Sequence, residues 1–102
     1  ESAEAVRNCS EFASIDGADV LFIGPTDLSI DMGVETSSSA FDQAINEVLE
    51  AAQRHHKAAG ILARNPDQAR KYRSIGFSII ALESDRGLLA KGFSQAVAAY
   101  RQ

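Results

Sequence analysis

The sequence is poor in the residues that mark several protein classes. Of its 102 residues, one is cysteine, two are proline and none is tryptophan. The single cysteine, Cys9, cannot form an internal disulfide, which indicates a reducing, cytoplasmic compartment. The two histidines are adjacent, at positions 55 and 56, so they lack the spacing of a zinc framework. Because 45% of the residues are hydrophobic and 24% charged, the composition excludes disordered and collagen-like proteins.

Long apolar runs and an excess of positive charge are missing as well. The longest apolar runs contain about six residues, whereas a membrane span needs about 20, so we expect no membrane partner. Fourteen acidic against ten basic residues give a net charge of −4, which does not favour binding to nucleic acid. The length allows one modest core, and we expect residues 1–102 to form a single domain.

Hydrophobic spacing alternates between the helical and the strand period along the chain. Three short apolar runs predict strands that are buried on both faces: Val20–Ile23, Ala58–Leu62 and Phe77–Leu82. Helical spacing before, between and after these runs predicts four helices, two of which have clear start signals at Asn65-Pro66 and Ser84-Asp85. This alternation predicts an α/β fold with parallel strands joined by right-handed crossovers.

Three parallel strands leave two apolar sheet edges, which an isolated open sheet tolerates poorly. A TIM (β/α)8 barrel of about 250 residues has no such edges. We therefore expect this chain to be the C-terminal portion of such a barrel, and its start at Glu1 without a methionine fits a piece of a longer protein. A small doubly wound sheet is the alternative architecture. In both, ligands bind at the carboxyl ends of the strands.

The turn after the first predicted strand offers the most chemistry. Gly24 lets the backbone approach a ligand, Pro25 fixes the chain path, and Thr26 and Asp27 open a helical turn with free N–H groups. A small carboxylate or phosphate fits such a turn. Taken alone, Asp27 is equally well explained as a helix cap.

The string LFIGPTDLS at residues 21–29, followed by Asp31-Met32-Gly33, resembles the pyruvate aldolases of the HpcH/HpaI type. These are metal-dependent barrel enzymes that cleave 4-hydroxy-2-oxo acids. The resemblance continues through the segments 59–63 and 84–89, so it covers nearly the whole chain. It implies a lyase that forms pyruvate and an aldehyde through a metal-stabilised enolate, with a small oxo acid and an aldehyde as its partners.

The resemblance also implies the metal ligands. In the family, the aspartate of this motif binds a divalent metal together with a glutamate in a V-E-x-x-x-A-[VL] segment. Asp27 and Glu1 match these two positions, and their separation of 26 residues corresponds to about one strand-and-helix repeat. We therefore expect both carboxylates at the ends of neighbouring strands. Carboxylate oxygens suit Mg²⁺ or Mn²⁺, and such a site can accept Co²⁺.

The resemblance places the substrate on the same turn. The amides of Thr26 and Asp27 would receive the pyruvate carboxylate beside Gly24 and Pro25, and Leu62 would line the apolar side of the pocket. The family's catalytic base is a histidine, assisted by an arginine, and both come from the N-terminal half of the barrel. We therefore expect no catalytic base in this chain and no activity of this piece alone. The resemblance also implies a homo-oligomer, either hexamer or trimer.

Two alternatives and one departure from the family accompany this interpretation. The alternatives are a citramalyl- or malyl-CoA lyase-like enzyme, and a non-catalytic α/β binding domain in which Glu1 is a surface acid and Asp27 a cap. The departure is Glu83, since many relatives have a small residue, often glycine, at that position. Arg64 is either a solvated loop residue or a contact for an acidic substrate tail, and Asp31 is expected to be a solvated surface acid.

Overall fold

The computed structural model describes residues 1–102, in which helical segments alternate with strands as predicted, but six helices are present where four are predicted. The first predicted helix is divided into two short ones, and the turn after the first strand is a separate helix of eight residues. The chain begins with two short helices, α1 (Ala3–Arg7) and α2 (Cys9–Ala13), and the strand β1 (Val20–Ile23). The helices α3 (Pro25–Met32) and α4 (Ser39–Arg54) and the strand β2 (Ala58–Ala63) follow. The last three elements are α5 (Pro66–Ile75), β3 (Ile79–Leu82) and α6 (Asp85–Arg101).

The three strands form one parallel sheet in the order β1-β2-β3. Ile23, the last residue of β1, is level with Ile61, and Leu82, the last residue of β3, is level with Ala63. The carboxyl ends of all three strands therefore lie at one edge of the layer. The predicted parallel alternation of strands and helices is confirmed.

Side-chain caps fix the starts of four helices, the first being α1, where Ser2 accepts a hydrogen bond from the amide of Ala5. Asn65 accepts a hydrogen bond from the amide of Gln68 and precedes Pro66 at the first position of α5. Ser84 and Ser38 accept equivalent bonds at the starts of α6 and α4. The predicted starts at Asn65-Pro66 and Ser84-Asp85 are confirmed, because each cap satisfies an amide that the helix itself leaves without an acceptor.

The core lies between the sheet and the helix α4. Phe41 and Ile45 of α4 are almost fully buried, as is Ile61 at the centre of the sheet. Tyr72 of α5 meets Phe77 edge to face, with 5.7 Å between the ring centroids. The helical spacing of the apolar residues in α4 predicted this buried face.

The predicted burial of the two outer strands is wrong for this chain. Phe22 in β1 is 49% exposed and Leu82 in β3 is 52% exposed, whereas β2 is largely buried along its length. The reason is position, since β1 and β3 are the sheet edges and one sheet face lacks a covering layer of helices. The apolar residues Leu89 and Phe93 of α6 are likewise exposed. None of the helices combines the length and the hydropathy needed to span a bilayer.

Candidate active site

The start of α3 leaves two backbone amides without partners. Gly24 occupies the N-cap position and has no side chain to cap the helix, and Pro25 at the first position has no N–H. The first amide of α3 with an acceptor is that of Leu28, which donates to the carbonyl oxygen of Gly24. The N–H groups of Thr26 and Asp27 therefore remain available to an anion at the carboxyl end of β1.

The carboxylate of Glu1 lies against this same turn. Its Oε1 atom is 2.9 Å from the point where a Cβ atom of residue 24 would stand, and its Cγ atom is 3.1 Å from that point. Only glycine at position 24 leaves room for this arrangement. The Glu1 side chain therefore reaches the carboxyl end of β1, three residues before Asp27.

A second aspartate of α3 fixes the segment that carries Glu1. The Oδ2 atom of Asp31 accepts a hydrogen bond of 2.7 Å from the backbone N–H of Ala3. Asp31 follows Asp27 by four residues, so both side chains lie on one face of α3. Asp31 is exposed, as expected of a surface acid, and its carboxylate also ties the start of α1 to α3.

The two predicted metal ligands fit a hard divalent cation. Asp27 lies exposed in the first turn of α3, and neither it nor Glu1 takes part in any of the three ion pairs of the structure. No group of three or more His, Cys, Asp and Glu side chains gathers in the structure. A pair of carboxylates without a third protein ligand suits Mg²⁺ or Mn²⁺, which keep several positions for water and substrate oxygens.

A cavity of about 280 Å³ lies at the carboxyl ends of β2 and β3, beside the start of α3. We call it the rim cavity, and its lining includes Thr26, Leu62, Arg64, Glu83 and Lys91. The hydroxyl oxygen of Thr26 accepts a hydrogen bond of 2.5 Å from Nη2 of Arg64. Nζ of Lys91 forms an ion pair with Glu83 and donates to the carbonyl oxygen of Arg64 at 3.3 Å. The charged residues that directly follow β2 and β3 and one from α6 thus converge beside α3.

The predicted site residues lie in or next to two neighbouring cavities. Thr26 and half-buried Leu62 share the rim cavity. Glu1 instead lines a smaller, mostly apolar cavity of about 140 Å³ beside β1. Gly24 touches Glu1, and Pro25 is buried beneath the turn. Asp27 lines neither cavity and stands at the helix start next to both.

Sequence reasoning underrated the charged residues of the rim cavity. Arg64 and Glu83 each follow a strand directly, which marks them as rim positions, but Lys91 lies two turns inside α6 and carries no local signal. Glu83 has a φ of 61°, in the left-handed region that favours glycine. A residue with a side chain rarely adopts this conformation, and here the ion pair with Lys91 holds the Glu83 side chain in place.

The remaining chemically conspicuous residues lie away from this rim. His55 ends α4 and His56 follows it, before the first residue of β2, which is the opposite end of the sheet. Burial, together with the charge of Glu47, raises the pKa of the Cys9 thiol, so Cys9 stays protonated at neutral pH. Cys9 is buried in the core, as its helical spacing predicts.

Known proteins resemble the chain over almost all of its length. Residues 1–92 match the family described as HpcH/HpaI aldolase/citrate lyase. The 4-hydroxy-2-oxo-heptane-1,7-dioate aldolase of Klebsiella pneumoniae is 37% identical over 101 residues, covering 97% of this chain. The hydroxypyruvate/pyruvate aldolase of Delftia acidovorans is 36% identical over 103 residues, covering 99% of it. The chain spans 38% of the length of each of these two relatives.

A solved structure gives the same result for the fold. The HpcH/HpaI aldolase/citrate lyase family protein from Burkholderia cenocepacia superposes on the whole chain with a TM-score of 0.90 and 32% identity, and the chain covers 40% of it. The parallel strands and their helices are therefore those of an aldolase-type barrel, and the predicted fold class is confirmed.

Proposed function

The chain belongs to the HpcH/HpaI aldolase/citrate lyase family, and from this membership and the geometry at the end of β1 we propose that it is part of a metal-dependent aldolase. The substrate is a 4-hydroxy-2-oxo acid, which the enzyme reversibly cleaves to pyruvate and an aldehyde. Glu1 and Asp27 hold the divalent cation, Mg²⁺ or Mn²⁺ and in some conditions Co²⁺. The protein is cytoplasmic and assembles as a trimer or hexamer.

One observation carries this proposal. The Glu1 carboxylate packs on the glycine that caps α3, and the first turn of that helix bears Asp27. Two carboxylates at one end of a parallel sheet, without a cation to pair with, are the donor set that Mg²⁺ and Mn²⁺ use when substrate oxygens complete their coordination. A cation bound there supplies Lewis-acid stabilisation of the negative charge that develops on the keto oxygen.

The residues of the turn bind and orient the oxo acid. The N–H groups of Thr26 and Asp27 donate to the substrate carboxylate, a position that the dipole of α3 favours for negative charge. Leu62 provides an apolar wall across the rim cavity from Thr26. These contacts fix the scissile C3–C4 bond in the site.

Cleavage of the C3–C4 bond begins at the 4-hydroxyl group. A base removes the proton of the 4-hydroxyl, and the electron pair of the O–H bond forms the C=O bond of the aldehyde. The C3–C4 bond breaks, its electron pair forms the C2=C3 bond of the enolate, and the π electrons of the keto group move onto its oxygen as the aldehyde leaves. Protonation at C3 then gives pyruvate. Because His55 and His56 stand at the opposite end of the sheet, the base is a group other than these two histidines.

Metal binding by single-carboxylate variants tests the proposal. In the full-length protein, Asp27→Asn and Glu1→Gln should each weaken Mn²⁺ binding, measured by electron paramagnetic resonance, by more than about 100-fold. Removing a metal ligand costs at least as much affinity as removing the hydrogen-bond partner that orients it. Pyruvate release from 4-hydroxy-2-oxo acids should fall in parallel.

Asp67 and Glu4 provide matched controls for this experiment. Asp67 lies in the first turn of a helix that also opens with proline, and exposed Glu4 lies in α1 close to Glu1. Asp67→Asn and Glu4→Gln should leave Mn²⁺ affinity within about twofold of the parent, because exposed surface charges contribute little. The proposal is lost if Mn²⁺ does not bind the parent protein, or if Asp27→Asn releases pyruvate at the parent rate.

A further inference from the structure

The rim cavity carries one more positive charge than negative charge. Lys91 and Glu83 neutralise each other, and the Glu83 side chain is only 17% exposed. Arg64 is the other cation of the cavity, and it belongs to none of the three ion pairs of the structure. A cavity with a single unpaired guanidinium attracts an anion.

The guanidinium of Arg64 is oriented by a hydrogen bond, and most of its N–H donors remain free. One N–H group donates to the Thr26 hydroxyl, which belongs to a residue 38 positions away in sequence. The backbone N–H of Arg64 donates to Gln68 Oε1, which anchors its main chain at the start of α5. A guanidinium has five N–H donors, so most of them remain for a ligand. A pre-oriented arginine loses less freedom when it binds a carboxylate.

The cavity reaches beyond the position of a three-carbon oxo acid. The amides that receive the pyruvate carboxylate belong to the start of α3, whereas the cavity continues from Thr26 past Leu62 to Glu83 and Lys91. The part of the substrate that becomes the aldehyde therefore has room to extend along the ends of β2 and β3. Arg64 contacts both regions, since its guanidinium donates to Thr26 and its carbonyl oxygen accepts from Lys91.

We propose that Arg64 is a specificity-determining residue that binds an anionic group, a carboxylate or a phosphate, on the aldehyde-derived part of the substrate. This inference rests on the proposed aldolase function and names the class of aldehyde that the enzyme accepts. Thr26 positions the guanidinium through its hydroxyl. Glu83 masks the charge of Lys91, so that a bound anion meets one free cation and not two.

Matched pairs of substrates test the proposal in the full-length protein. One pair is 4-hydroxy-2-oxoglutarate and 4-hydroxy-2-oxopentanoate, which have five carbons and differ by the distal carboxylate. The other is 4-hydroxy-2-oxoheptane-1,7-dioate and 4-hydroxy-2-oxoheptanoate, which have seven carbons and differ in the same way. The measured quantity is the ratio of kcat/KM between the members of each pair, from which effects on the shared bond cleavage cancel.

The parent protein should prefer the dianionic member of at least one pair by about 10- to 100-fold, the range of a hydrogen bond between two charged groups. Arg64→Gln should bring this ratio close to one. Arg64→Lys should keep part of the preference, because it retains the charge and loses the forked geometry. Arg70→Gln is the matched control, since Arg70 is exposed on α5, pairs with Asp67 and should leave the ratio unchanged.

A phosphate-bearing aldehyde distinguishes the two anions. Condensation of pyruvate with glyceraldehyde 3-phosphate, compared with glyceraldehyde, should show a ratio that also depends on Arg64 if phosphate is the preferred group. The proposal is overturned if the parent shows no preference for any anionic partner, or if Arg64→Gln leaves the preference intact. Failure to cleave any of the four oxo acids would instead contradict the aldolase function itself.

Discussion

Gly24→Ala should weaken metal binding at the proposed site without changing the stability of the fold. A Cβ atom at position 24 would stand 2.9 Å from Glu1 Oε1 and 3.1 Å from Glu1 Cγ. Ordinary contacts begin at 3.4 Å, so the Glu1 carboxylate has to retreat by about 0.5 Å. Distances in metal sites lie within about 0.2 Å of their usual values, so a displaced Glu1 carboxylate no longer matches the geometry of a ligand. We therefore expect the affinity for Mn²⁺ to fall by about 10- to 100-fold, as it does when the support of a ligand is removed.

The same substitution should hardly affect unfolding. The φ of Gly24 is −95°, which alanine adopts without strain. The lower chain entropy of alanine in the unfolded state stabilises by about 0.4–1 kcal/mol, and the poorer N-cap quality of alanine costs a comparable amount. The free energy of unfolding should therefore stay within about 1 kcal/mol of the parent value, while metal affinity drops.

Titration of Mn²⁺ by calorimetry and urea denaturation of the metal-free protein measure the two effects separately. Gly17→Ala is the matched control, because a Cβ atom there meets nothing within 4 Å, and it should keep the parent affinity. Glu1→Gln combined with Gly24→Ala should bind no more weakly than Glu1→Gln alone. Parent-like Mn²⁺ affinity in Gly24→Ala, together with weakened binding in Glu1→Gln, would refute the reasoning.

Two further predictions concern the sheet and the core. Gly60→Ala places a Cβ atom 2.6 Å from Phe22 Cδ2 and 3.3 Å from Ile79 Cβ. The free energy of unfolding, measured by calorimetry, should therefore fall by about 1–3 kcal/mol. An unchanged Tm would contradict this prediction and would mean that the half-exposed Phe22 ring rotates away. Burial raises the pKa of the Cys9 thiol and of the Tyr72 hydroxyl, so the folded state favours both protonated forms. The stabilisation from these two protonated groups is complete below their pKa values in the unfolded chain and is lost as pH rises through their pKa values in the folded protein. The urea concentration at the unfolding midpoint should therefore fall above about pH 8.5. This decrease should be smaller in Cys9→Ala.

Local signals in the sequence predicted α4, α5, α6 and the central strand well, but not the division of the first helix or the separate helix α3. The caps Asn65 and Ser84 and the buried face of α4 depend on residues within one or two turns of each other, so spacing alone reveals them. The burial of β1 and β3 depends on which elements cover them from elsewhere. Periodicity cannot report this, and Phe22 and Leu82 are therefore exposed against expectation.

The candidate site was predictable only where a motif carried it. The string around Gly24 and Asp27 is recognisable because its residues are contiguous. The contact between Arg64 and Thr26 bridges 38 positions, and that between Asp31 and Ala3 bridges 28, so neither is visible in a linear reading. The pairing of Glu83 with Lys91 further requires a left-handed backbone at Glu83, for which a charged residue gives no hint.

The side chains of the rim and those of the core are different sets of residues. Arg64, Glu83 and Lys91 stand on strand ends and on an outer helix, and none of them belongs to the cluster of 17 buried residues that holds the sheet to its helices. Selection can therefore exchange these three side chains together without repacking the interior. Descendants of one ancestral barrel could in this way acquire new aldehyde preferences by a few surface substitutions, while melting temperature and metal chemistry stay as they were.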